Sequence, residues 1–344
     1  MNTRDVVIVA VARTPIGSFM GSLSSIPAPK LGAIAIKGAL EKIKLDPNLV
    51  DEVFMGNVVS AGLGQAPARQ AAIFAGISDT VPCTTINKVC ASGMKSVMLA
   101  AQSIALGDAD IVVAGGMENM SSIPHYLHGR QGVKFGPTTL EDGMQKDGLV
   151  DAYDKNAMGV CADACAAKYG FSREDQDAFA YNSHMKALKA QAEDRFQDQI
   201  APITVEQTYL DANGKKATKS YTVTKDEGPR VGTSKEALAK LRAVFAAGGS
   251  VTAGNSSQMS DGAAFVMVMS EDMVKELNIE PIARMVNYAA AGVEPRIMGI
   301  GPVAAIPKAL KQAGLQQKDI DLIELNEAFA SQSLAVIREL GLNK

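Results

Sequence analysis

The feature that most constrains this chain is an alternation, over roughly its first third, of short apolar runs with longer amphipathic or small-residue stretches. The runs Val6 to Ala12, Glu52 to Val59, Pro82 to Val89 and Ala109 to Gly115 read as strands, bounded by Pro, Gly and polar residues. Between them Ala28 to Ile43, Pro67 to Ala75 and Ala91 to Leu106 read as helices. The resulting βαβαβαβ order predicts an α/β fold, a parallel or mixed sheet with helices on its faces.

From Met120 to Ser250 the chain turns polar, with a helix expected over Ser172 to Ala192 and a Lys-rich hairpin over Tyr209 to Thr224. This region reads as an insertion. Extended and helical signals resume at Gly262 to Met269, Ile282 to Ala290, Val303 to Ala313, Leu322 to Leu325 and Ala328 to Leu340.

At an offset of 270 the two βα parts match: Ala39 with Ala309, Leu40 with Leu310, Leu45 with Leu315, Asp51 with Asp321, Val53 with Ile323 and Met55 with Leu325. Such self-similarity is the mark of an internal duplication. It divides the chain into an N-terminal half over 1–120, an inserted loop domain over 121–250 with a return to the first half to about 270, and a C-terminal half over 271–344. At the same offset Lys344 falls opposite Phe74, so the second half is expected to be incomplete.

Only 5% of the residues are aromatic and 31 are Gly, so close helix–sheet contacts are expected. A net charge of −3 gives no electrostatic reason for nucleic acid or an anionic membrane as partner. The apolar run at Val6 is too short for a signal or membrane segment, and four cysteines are too few for a secreted disulfide scaffold. A cytoplasmic, soluble protein is the expectation.

Cys90 stands where an extended run meets a helix that opens on small residues, Ala91-Ser92-Gly93. A thiol there feels the positive end of the helix dipole, which favours the nucleophilic thiolate, and the same amides suit an oxyanion on a thioester. A buried structural cysteine is the alternative reading. Two other patterns carry less. Gly62-Leu63-Gly64-Gln65-Ala66-Pro67 mimics a dinucleotide-binding turn but has Pro67 in place of the third glycine. Cys161 and Cys165 have the spacing of two metal ligands, yet no His or Cys cluster completes a site, so they read as core and no metal is expected.

The string V-C-A-S-G-M-K-S around Cys90 closely resembles the nucleophile segment of thiolases. Further thiolase-like stretches are V-A-R-T-P-I-G-S-F near the start, G-Q-A-P-A-R-Q from Gly64, A-G-G-M-E-N-M-S from Ala114, V-T-A-G-N-S-S from Val251, D-G-A-A from Asp261 and N-E-A-F from Asn326. They are collinear over the whole chain. The resemblance implies a thiolase fold of two similar halves in alternating helix and sheet layers. It implies a Claisen condensation of two acetyl-CoA molecules to acetoacetyl-CoA plus CoA, and the reverse thiolysis, through an acyl-Cys90 thioester.

By the same resemblance Asn326 holds, through a water, the thioester oxygen of the second substrate; Arg230 and Ser257 meet the coenzyme A moiety; and Met158, Phe245, Ala253 and Phe329 line a narrow pantetheine tunnel. The small residues from Thr252 to Ser257 would let a slim chain pass close to the backbone. No resident cofactor is implied, since the coenzyme A thioesters are substrates, and the Gly64 segment implies a homodimer or homotetramer.

Two thiolase segments have no counterpart in the 344 residues: a Gly-His-Pro motif and a Gly-rich loop with a second catalytic Cys. A truncated chain that does not turn over is therefore expected. Ala157, ahead of Met158, stands where many acetoacetyl-specific relatives carry a His, which opens a broader 3-ketoacyl-CoA thiolase as an alternative. A non-catalytic acyl-CoA-binding thiolase-like protein is a further one.

Overall fold

In a computed structural model the described residues are 4–130, 132–210 and 213–343. They form two interleaved compact units, one of Met1–Gly148, Arg195–Gly228 and Met259–Met285, the other of Leu149–Asp194, Pro229–Gln258 and Val286–Lys344.

Along the chain the elements are β1 (Val6–Arg13), β2 (Gly17–Ser18), α1 (Ala28–Lys42), β3 (Glu52–Gly56), α2 (Pro67–Ala75), β4 (Cys83–Ile86), α3 (Ser92–Leu106) and β5 (Ile111–Asn119). The pairs β6 (His125–Tyr126) and β7 (Glu141–Asp142) precede α4 (Met158–Tyr169) and α5 (Arg173–Ala192). Then come β8 (Ile203–Leu210), β9 (Lys216–Val223), α6 (Lys235–Ala239), β10 (Ser260–Ser270), α7 (Glu271–Glu276), β11 (Ala283–Arg284), α8 (Gly301–Ala313) and α9 (Ala330–Leu340).

The first unit is built on one mixed sheet in the order β11-β1-β10-β5-β3-β4, with β2 on β10. β3 pairs in parallel with β4 and β5, as helix crossovers require, while β10 runs antiparallel between β1 and β5. Side chains alternate across β5. A Cβ on Gly32 of α1 would touch Met117, and one on Gly116 would face Gly93 of α3, so α1 and α3 cover opposite faces. The α1 face holds the large core, with Leu31, Ile36, Met55, Val113, Phe265 and Met267 buried. By length and apolarity Val89–Leu106 would pass for a membrane span, yet α3 buries Met98, Ala100, Ala101 and Ile104 within the first unit.

The helices stop where the sequence says they should. Pro67 opens α2 and Gly76, at φ +90°, closes it; Gly107, at φ +88°, closes α3. Ser172 caps α5 in a capping box with Asp175. The Lys-rich stretch is a hairpin of β8 and β9, longer than Tyr209 to Thr224 on its first arm; residues 211–212 lie outside the described residues.

In the second unit the repeat shows in part. The 3-10 turns Pro47–Leu49 and Gln317–Asp319 lie 270 apart, and each follows a long helix, α1 and α8. The strand expected at Leu322 to Leu325 is not formed, and Leu322 is 80% exposed. Among the described residues this unit has no strand for it to pair with, and an extended run without a partner makes no ladder. The run Ile282 to Ala290 likewise contributes only β11, where Val7 and Ile8 pair with Arg284 and Ala283.

Candidate functional site

In the first unit Cys90 is exposed, at the turn from β4 into α3. The residue before it, Val89, has φ +46°. A β-branched residue in the left-handed region is strained by ~1–3 kcal/mol and persists only where its surroundings hold it. Here they hold both of its peptide groups. The Val89 N–H donates to Asn87 Oδ1 at 3.0 Å, and its carbonyl accepts from Ser92 Oγ at 2.6 Å. Ser92 Oγ also accepts from the Lys88 N–H at 2.8 Å.

The helix behind the thiol is seated on glycines. A Cβ on Gly56, the last residue of β3, would stand 2.6 Å from the Ser92 carbonyl carbon and 2.7 Å from the Gly93 nitrogen. Gly93 in turn lies over Gly115 and Gly116 of β5, where its own Cβ would meet backbone at 3.7 Å. Only a residue without a side chain at position 56 lets the first turn of α3 approach the end of β3 this closely, whereas the contact at Gly93 is ordinary van der Waals packing.

Glu118, near the end of β5, takes three hydrogen bonds from the loop after β3: Asn57 Nδ2 at 3.0 Å, the Val58 N–H at 2.7 Å and the Val59 N–H at 3.3 Å. Burial lifts its carboxyl above the usual range, and those three donors work against the lift.

The other predicted residues all lie in the second unit. Phe245 and Phe329 meet edge to face, ring centres 6.2 Å apart and planes at 89°. Phe245 lies flat on Gly159, the residue after Met158, where a Cβ would be 2.2 Å from the ring. Phe329 is tied to the 252–257 loop by backbone bonds from Ser257 N to Ala328 O and from Ala330 N to Asn255 O, both 2.9 Å. Thus Phe245, Phe329, the start of α4 at Gly159 and the loop that carries Ser257 come together. Met158, Phe245 and Phe329 are half-buried, whereas Ala253, Ser257, Arg230 and Asn326 are exposed.

The loop that carries Ala253 and Ser257 is held by buried polar groups that the sequence did not single out. Asn255 Oδ1 accepts from the Thr252 N–H at 2.8 Å, and its amide donates to Asp177 Oδ1 at 2.9 Å and to the Ser250 carbonyl at 3.2 Å. Asp177 is paired with Arg173 at 2.7 Å. Asp163 Oδ1 accepts from the Ser250 and Val251 N–H groups.

Arg230 lies near His184 of α5, and so does Glu327, which follows Asn326 and accepts from Ser183 Oγ at 2.6 Å. Burial first, then the Arg230 charge, pulls the His184 imidazole below its ordinary value, against an opposing pull from Glu327. His184 is half-buried on α5. Cys161 and Cys165 are buried, and Cys165 packs with Ala166, Phe171, Leu334 and Ala335.

The model of the thiolase N-terminal domain matches residues 6–272 and that of the thiolase C-terminal domain residues 279–344. An acetyl-CoA acetyltransferase of Pseudomonas aeruginosa is 52% identical over 339 residues, 98% of this chain and 84% of the relative. A probable acetyl-CoA acyltransferase of Staphylococcus aureus is 49% identical over 338 residues with the same coverage. The crystal structure of the Bacillus anthracis acetyl-CoA acetyltransferase superposes with a TM-score of 0.94 at 41% identity, covering 100% of this chain and 85% of that one. The chain belongs to the thiolase family. It has the thiolase α/β fold and is an acyltransferase. The expectation of a truncated chain is not borne out by the family models, both of which match.

Proposed function

We propose that the chain is an acetyl-CoA C-acetyltransferase working through an acetyl thioester on Cys90. The Cys90 thiolate attacks the carbonyl carbon of acetyl-CoA; the C–S bond to CoA breaks and CoA leaves as the thiol. A second acetyl-CoA gives up an α-proton, which balances the proton that CoA takes up, and its α-carbon attacks the Cys90 thioester carbonyl. The C–S bond to Cys90 breaks, releasing acetoacetyl-CoA and regenerating the Cys90 thiolate. Splitting the reaction at a covalent intermediate predicts ping-pong kinetics.

The observation that carries this reading is the exposed Cys90 thiol, presented on a strained turn whose peptide groups are individually held. Arg230 and Ser257 are the contacts for the coenzyme A moiety, Met158, Phe245, Ala253 and Phe329 the lining for pantetheine, and Asn326 the water-mediated support of the thioester oxygen. Acyl transfer to Cys90 is the part of the chemistry that this chain's own side chains account for. No resident cofactor is needed, the enzyme works in the cytoplasm, and a homodimer or homotetramer is its assembly.

Intact mass before and after brief incubation with acetyl-CoA tests the reading. One acetyl group mapping to Cys90 supports it; a chain that binds CoA thioesters but takes no acetyl group is the non-catalytic relative. A second reading, a 3-ketoacyl-CoA thiolase of broader chain length, rests on Ala157, the small residue that caps α4 ahead of Met158. Comparable thiolysis of acetoacetyl-CoA and of longer 3-ketoacyl-CoAs would favour it.

A further inference from the structure

We infer that Asn87 is a positioning residue for the Cys90 thiol, and that Glu118 anchors it from the sheet through the peptide of Val58. The inference rests on the reading of Cys90 as the nucleophile. Left to itself, Val89 would leave the left-handed region, and the direction of the next Cα–Cβ bond would change with it. Ser92 restrains the Val89 carbonyl, but Ser92 belongs to the helix that the turn itself begins. A reference point outside the turn is needed to fix where the thiol points.

Asn87 supplies it. Its Oδ1 accepts from the Val89 N–H at 3.0 Å while its Nδ2 donates to the Val58 carbonyl at 3.1 Å. The N–H of the same Val58 donates to Glu118 Oε2 at 2.7 Å, and Glu118 also takes Asn57 and Val59. The connection therefore runs from a half-buried carboxylate on β5, through the loop after β3, across an exposed amide, to the N–H of Val89, the residue before Cys90. Asn87 itself makes no contact with the reacting atoms in this scheme. It acts on them only through Val89.

The test separates aim from reactivity. Asn87→Ala is expected to slow acetylation of Cys90 by acetyl-CoA by about tenfold or more, because attack on a bound thioester is sensitive to displacements well under 1 Å. Its alkylation by iodoacetamide, a small reagent that approaches from any side, should stay within about twofold of wild type at alkaline pH. Amide exchange at Val89 should quicken in the same variant. Asn87→Asp keeps the acceptor for Val89 and should recover part of the acetylation rate, and Glu118→Gln should show the same split more weakly.

Acetylation at the wild-type rate in a folded Asn87→Ala protein would overturn the proposal. So would parallel loss of acetylation and alkylation with a lowered melting temperature, which is the signature of a structural role alone. If the wild type takes no acetyl group, the functional reading falls by itself, and unchanged exchange at Val89 in Asn87→Ala would then reject the positioning role independently.

Discussion

Gly56 lies so close beneath Ser92 that a methyl group on it would stand 2.6 Å from the Ser92 carbonyl carbon. The obstacle is backbone on a helix start, with no flexible side chain to swing aside. Gly56→Ala must therefore lift the first turn of α3, at a cost of about 1–3 kcal/mol for overpacking. A urea melt measures the cost, and loss of Cys90 acetylation in the protein that remains folded shows that the turn moved. Gly116→Ala, where the nearest backbone is 3.4 Å away, should be milder on both counts.

Phe245→Ala removes both the edge contact with Phe329 and the cover over Gly159. Since Phe245 is only half-buried, stability should fall by about 1–3 kcal/mol, below the range for a fully buried ring. Steady-state kinetics should show a higher KM for the coenzyme A thioester with a smaller change in kcat. A variant with normal KM would remove Phe245 from the substrate lining.

The four cysteines should separate cleanly in a labelling time course. Cys90 is exposed and should take iodoacetamide first, at pH 8. Burial pushes the Cys165 thiol up to about 11, and the half-buried Cys83 and the buried Cys161 are also raised, so few of these three are thiolates at that pH. Peptide mass mapping reads the order, and early label on Cys165 would contradict the packing described for α4.

His184 carries a pH dependence whose sign follows from its surroundings. Burial and Arg230 disfavour the imidazolium in the folded chain, placing the folded value below 6.5. Beneath 6.5 the unfolded chain binds a proton that the folded one resists. The contribution of His184 is therefore complete above 6.5 and is lost as pH falls toward and through the folded value. His184→Gln should flatten the acid side of a stability–pH curve taken from urea midpoints. An unchanged slope would assign the acid loss to other groups.

The first unit's strands and helices were legible because their signals are local. The apolar runs are bracketed by Pro and Gly, and α2 runs from Pro67 to the residue before Gly76, as the pattern requires. Cys90 was legible because its context is a strand meeting a small-residue helix. What escaped is what depends on partners far along the chain. Nothing near Ser260 to Ser270 announces that β10 lies between β1 and β5, and Leu322 to Leu325 has strand composition without a neighbouring strand to realise it. Asn87, Ser92 and Glu118 escaped for a related reason: a polar residue in a turn reads as solvated until the peptide it holds is known. An Asn two residues before Val89 was the available clue, since its side chain commonly closes such a turn.

The place of β10 also governs how the chain can be made. When the ribosome has delivered β1 and β5, the edges that each will turn toward the other are bare, because the strand that fills the gap is coded about 140 residues beyond β5. Closure of the sheet must wait for that late segment. Long-range pairing of this kind is slow, and it leaves strand edges open in the interval. The nascent first unit is thus a stage at which open strand edges expose the chain to aggregation.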